Sequence, residues 1–173
     1  MKKLFLLMCL LTATTVVGQT EDELKALAME QAQITGEALV VGDYETIFDY
    51  TLPAVLEMLG GRETALELVN ASFSQMQDQG MKVVRNDAVR LVGFAYEQGQ
   101  YRCVVENKMF VQLDETTSLD STNYYFGVYS EEDSRWYFIE ANKMKDENVM
   151  LLLFPDLVTE LIIPDDIKKF IEN

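Results

Sequence analysis

Residues 80–113 read GMKVVRNDAVRLVGFAYEQGQYRCVVENKMFVQL, and within this stretch the spacing of apolar side chains changes. Before Gly80 they recur at three- and four-residue intervals. After it they alternate and are rich in β-branched and aromatic types, the pattern of strands with one face turned inward. Val83 and Val84 mark a first strand and 89–96 a second. Gln98 and Gly99 suit a two-residue turn, which predicts that 101–113 returns antiparallel as a third strand. The polar stretch 114–120 leads to a strand over 121–130, and 131–134 turns into a last one over 135–141.

Working back from Gly80, the spacing predicts helices. Thr20 with Glu23 is a capping-box pair, and Leu24, Leu27, Ala28, Ile34, Ala38 and Val41 form one face of a long helix ending at Gly42. Asp43 can cap a second, shorter helix containing Ile47, Phe48 and Leu52. Pro53 can open a third that closes at Gly60 and Gly61. Leu66, Val69, Phe73 and Met76 form the face of a fourth. Helices followed by a strand meander imply an α+β domain with the helices on one face of an antiparallel sheet. In the tail, from about residue 145, 149–154 is an apolar run ended by Pro155, and 165–171 fits a short helix capped by Asp165. Leu157, Leu161, Ile162 and Ile163 are expected to cover an open part of the sheet or to make a homodimer contact.

The chain opens as a secretory signal does, with Lys2 and Lys3, an apolar core over 4–11 and a more polar 12–18. Cleavage is expected between Gly18 and Gln19, which makes the mature chain an exported protein, periplasmic or secreted, of one domain over 19–173. Cys9 lies within the apolar core after Met8, which is not small, so lipidation at Cys9 is disfavoured. No stretch approaches the ~20 apolar residues of a membrane-spanning helix.

With 14 basic and 29 acidic residues the formal charge is −15, and loss of Lys2 and Lys3 makes it about −17. Nucleic acid and anionic membrane surfaces reward the opposite sign, so neither is an expected partner. There is no histidine, which removes the commonest neutral-pH acid/base and the commonest zinc ligand. The sequence implies no cofactor. The acidic groups at 114–115, 131–133 and 165–166 lack the alternating spacing and central glycine of a calcium loop and read as solvated turns. Cys103, left alone once the leader is removed, reads as a buried apolar residue of a strand.

Gly42-Asp43-Tyr44-Glu45 after the first helix, Pro53, Leu59-Gly60-Gly61, Gly80 before the first strand and the closing Arg135-Trp136-Tyr137-Phe138-Ile139 together resemble the NTF2-like superfamily over 21–142. The resemblance implies a cone-shaped, cystatin-like α+β fold with a pocket between helices and the concave sheet face. That superfamily holds steroid isomerases, polyketide cyclases, dehydratases, transport factors and exported proteins of no known activity, so fold alone leaves function open. Its enzymes commonly use an inward aspartate with tyrosine or histidine, and no such set matches positions of this chain.

If the strands pair about the two expected turns, Arg90, Asn107, Tyr125 and Glu140 form a polar row across four strands on one face. The row is flanked by Val92, Phe94, Cys103, Val105, Met109, Val111, Gly127, Trp136 and Phe138. A polar row within an apolar bowl is what a small-molecule site looks like. Arg90, Asn107, Tyr125, Glu140, Trp136 and Phe94 are therefore the expected ligand-binding residues, for a small, partly apolar molecule or a protein partner. The alternative is a carboxylate-driven isomerase or dehydratase of ketosteroid-isomerase type, with Glu140 and Tyr125 as proton carriers. A Glu140 held by Arg90 would instead be a fixed ion pair.

Overall fold

The computed structural model describes residues 19–172; the expected leader, 1–18, lies outside them. Four helices come first: α1 (Glu21–Val41), α2 (Tyr44–Asp49), α3 (Pro53–Met58) and α4 (Arg62–Asp78). The capping box at the start of α1 is complete, with the Glu23 N–H donating to Thr20 Oγ1 at 3.3 Å and the Thr20 N–H to Glu23 Oε2 at 2.7 Å. Gly42 ends α1 at φ 76°, a left-handed conformation that costs glycine nothing. Asp43 caps α2 through the Thr46 N–H, as the sequence predicts.

Strands β1 (Lys82–Glu97), β2 (Gln100–Gln112), β3 (Thr117–Ser130) and β4 (Arg135–Glu140) then run as an antiparallel meander. The two strands expected before Gln98 are one continuous strand. A 3-10 turn (Ala141–Lys145) and a short helix α5 (Glu147–Leu153) follow. The expected C-terminal helix is instead a strand, β5 (Ile167–Glu172), antiparallel to the first half of β3. β4 pairs with the second half of β3, so β4 and β5 share one edge of that strand. Thr117 and Ser121 offer β-branched and small partners there, and pairing with an open edge outweighs the weak helical preference of a six-residue segment.

The sheet is buried on both faces. On one, α1 lays Leu24, Ala28 and Ala32 over Cys103, Val105, Trp136 and Phe138. The small side chains of α1 let its backbone approach closely. Val41, expected on the buried face, is exposed. On the other face Val104, Phe126 and Val128 are covered by Phe154, Leu157, Leu161 and Ile163. Leu157, Leu161 and Ile163 thus cover the outer face of the sheet, whereas Ile162, expected with them, faces away and is exposed. Among the described residues no helix is long and apolar enough to cross a membrane.

β1 departs from regular pairing with β2 between Val83 and Arg85, Ala88 and Arg90, and Leu91 and Gly93. Each bulge inserts one residue, bends the strand and reverses which face the following side chains meet. Val84 and Val89 are consequently exposed, and the site described next follows from these slips.

Candidate functional site

The proposed row is only partly assembled. Tyr125 and Glu140 are direct partners across β3 and β4, as the four-residue turn 131–134 predicts. Asn107 lies on the same face but opposite Asn123, two positions from Tyr125. Arg90 does not join them. The irregularity at Val92 places Arg90 opposite Glu106 on the outer face, where its guanidinium pairs with the Glu106 carboxylate at 2.6 Å. Arg90 therefore pairs with Glu106, not with Glu140. Val92 likewise turns to the outer face, while Phe94, beyond the slip, returns to the helical one.

Trp136 and Phe94 sit in the core under the first half of α1. Trp136 is fully buried, its Nε1–H donating to the Leu24 carbonyl at 3.0 Å and its backbone N–H to Gln31 Oε1 at 2.7 Å. Phe94 meets its ring edge-on at 6.1 Å, with Lys25 Nζ 4.8 Å from the Phe94 centroid. These contacts hold α1 to the sheet and place both rings away from the cavity.

That cavity, of about 480 Å³, lies where the second half of α1, α2, α3 and the start of the tail meet the β3–β4 seam. Its size is that of small-molecule pockets. Tyr125, Phe138 and Glu140 form the sheet wall; Leu39, Ile47, Val55 and Met58 face them from the helices, and Val149 and Leu153 close the side from α5. Two hydroxyls on the wall are committed elsewhere: Thr35 Oγ1 donates to the Gln31 carbonyl and Thr51 Oγ1 to that of Ile47, each at 2.9 Å. Most of the lining therefore acts as apolar surface. The side chains of Glu140 and Lys143, both exposed at the cavity's edge, make no hydrogen bond or ion pair among the described residues.

Tyr125 is 8% exposed, and its hydroxyl accepts a hydrogen bond from Asn86 Nδ2 at 3.2 Å. Burial pushes its phenol above the ordinary range; the Glu140 charge adds to this and the Asn86 bond opposes it. The phenol is thus a neutral group at physiological pH. Cys103 is buried beneath α1, and burial raises its thiol far above the usual value, which leaves it inert as a nucleophile.

The helix residues Leu39, Tyr50 and Val55 and the tail residues Lys143, Val149 and Leu153 were not foreseen as site residues. The apolar ones among them carry only amphipathic spacing on separate elements, which does not tell which elements converge. No family model, curated protein or solved structure matches this chain.

Proposed function

We propose that this chain is an exported binding domain of NTF2-like type that holds one small, largely apolar molecule over the β3–β4 seam. The observation that carries the reading is the 480 Å³ cavity, whose wall is mostly apolar, with the hydroxyls of Thr35 and Thr51 bonded to backbone carbonyls, the phenols of Tyr50 and Tyr125, and Glu140 and Lys143 at its edge. An apolar enclosure with a few convergent polar groups orients a ligand by its polar end while burying the rest. The adjacency of Tyr125 and Glu140 favours a second reading, the carboxylate-driven isomerase or dehydratase. That reading requires a Glu140→Gln variant to lose turnover on an enolisable ketone, whereas a binder shows none to lose.

The binding reading is tested with the apolar dye N-phenylnaphthylamine. Saturable fluorescence enhancement at one site per chain is expected, together with loss of binding in Val55→Trp, whose indole fills the cavity from α3. Equal binding by Val55→Trp and the unaltered protein, with both folded by circular dichroism, overturns it. Export is tested separately by N-terminal sequencing of protein recovered outside the cytoplasm, which should begin at Gln19.

A further inference from the structure

The outer edges of the sheet are β1 on one side and, on the other, β4 and β5. The free side of β4 is bridged by the link between α2 and α3: the Phe138 N–H donates to the Tyr50 carbonyl at 2.7 Å and the Leu52 N–H to the Phe138 carbonyl at 3.1 Å. That of β1 is broken by three register slips, and bulges of this kind spoil an edge for pairing with another strand. β5 differs from both. It pairs with β3 over its whole length without a slip, and none of the described residues pairs with its other side. Ile167 and Phe170 on it are 62% and 67% exposed. A regular, uncovered edge that carries large apolar side chains is a template for strand addition.

The side chains of β5 select the strand that fits. Lys168, Phe170 and Glu172 lie opposite Ser121, Leu119 and Thr117. Leu119 is in turn opposite Val111, on the face that the helices cover, so these three side chains share that face and Ile167, Lys169 and Ile171 take the other. Neither Lys168 nor Glu172 has an ion-pair partner among the described residues.

Suppose the added strand is a second β5, antiparallel about a twofold axis normal to the sheet. Like faces then meet, so the axis passes through a residue. At Lys168 or Lys169 it sets that lysine directly against its own copy, which is destabilising. At Ile171 it sets Phe170 against a carboxylate. At Phe170 it sets Lys168 opposite Glu172 of the second copy, twice by symmetry, on either side of a pair of Phe170 rings. The lysines, which blunt an edge against indiscriminate pairing, thus reject the slipped registers and leave one.

We propose that the protein pairs with a second copy of itself through β5, antiparallel about Phe170, so that one sheet runs through both copies. The inference is independent of the cavity reading. A ladder of one short strand from each copy lies at the small end of specific interfaces, and dimerisation is therefore to be followed over a wide concentration range.

The test is sedimentation equilibrium of the protein over about 1–500 μM, where concentration-dependent dimer is expected. Lys168→Glu and Glu172→Lys each create two like-charge pairs, and each should weaken the dimer about tenfold or more. The double variant restores opposite charges and should recover the original affinity. Both positions are exposed, and circular dichroism checks that the variants are folded. Phe170→Cys gives an independent readout: on the axis its Cα atoms stand about 4.5–5.5 Å apart, within reach of a disulfide, and mild oxidation should yield a covalent dimer. Ile167→Cys, about 20 Å from its copy in this register, should not cross-link. Cys103 is buried and does not compete. Monomer alone across the range, a dimer that the single charge variants leave unchanged, a double variant as weak as the singles, or cross-linking of Ile167→Cys as fast as Phe170→Cys overturns the proposal.

Discussion

Gly36 of α1 packs against the backbone of Asn86 on β1 so closely that a Cβ at position 36 would stand 2.3 Å from the Asn86 carbonyl oxygen. The contact sets the height of α1 above the sheet at the point where Asn86 supports Tyr125. In a helix interior alanine is otherwise preferred to glycine by about 1 kcal/mol. Overpacking against backbone costs about 1–3 kcal/mol and wins. Gly36→Ala is expected to lower stability by a net of up to ~2 kcal/mol in urea unfolding. A midpoint at or above that of the unaltered protein would show that α1 rides free of β1.

Trp136 is the only tryptophan and lies between α1 and the sheet, 5.4 Å from the Tyr129 ring and hydrogen-bonded to Leu24. Its emission should be blue-shifted and should move to longer wavelength in a single step on unfolding. Trp136→Ala removes a fully buried indole and leaves the Leu24 carbonyl without its partner, at a cost of ~3–5 kcal/mol. A loss below about 1 kcal/mol would contradict the burial.

Glu97 holds the tail to the β1–β2 hairpin. Its carboxylate accepts from the Glu160 N–H at 2.8 Å and from Arg102 Nη1 at 3.3 Å. The Thr159 hydroxyl, then the Glu160 N–H and Arg102 hold it below its ordinary value of 4.5. A lowered folded value means that the stabilisation is present above pH 4.5 and is lost as pH falls through the lowered value. Amide exchange of Glu160 should therefore accelerate below pH 4.5 beyond the intrinsic trend. Glu97→Gln should produce the same opening at neutral pH, with about 1–2 kcal/mol lost. Unchanged protection of Glu160 in that variant would remove Glu97 from this role.

The Tyr125 phenol, raised chiefly by burial, has the opposite sense. Its stabilisation is complete below the unfolded value of 10 and declines as pH rises through the folded one. In a spectrophotometric titration Tyr125 should contribute a step above the ordinary phenol range, close to the alkaline unfolding transition. Tyr125→Phe should remove that late step alone. A variant whose titration loses an early step instead would place the hydroxyl in contact with solvent.

Much of the architecture was legible residue by residue. Thr20 with Glu23, Gly42, Asp43, Pro53 and the Gln98-Gly99 turn each act on their immediate neighbours, and each element boundary they imply is observed. The Tyr125–Glu140 pairing was readable for the same reason, because a short turn transmits register directly to the strands beside it. The same logic failed for Arg90. The run Val89-Arg90-Leu91-Val92 is apolar on both sides of the arginine, so alternation there does not announce a bulge, and one inserted residue reversed its face. It failed as well for 167–172, which became a strand because an unpaired edge of β3 was within reach.

The chain by itself determined its four leading helices and the strand meander that follows them, the acidic charge and the character of Cys103 as a buried apolar residue, all of which follow from composition or from residues a few positions apart. Tertiary structure alone decided that Arg90 leaves the row for Glu106, that β5 adds an open edge beyond β3, and that α1, α2, α3 and α5 enclose a cavity over Glu140. The physical reason is that a side chain's face on a strand depends on every insertion between it and the nearest turn. A cavity, likewise, is the space left by elements whose mutual packing no local pattern encodes.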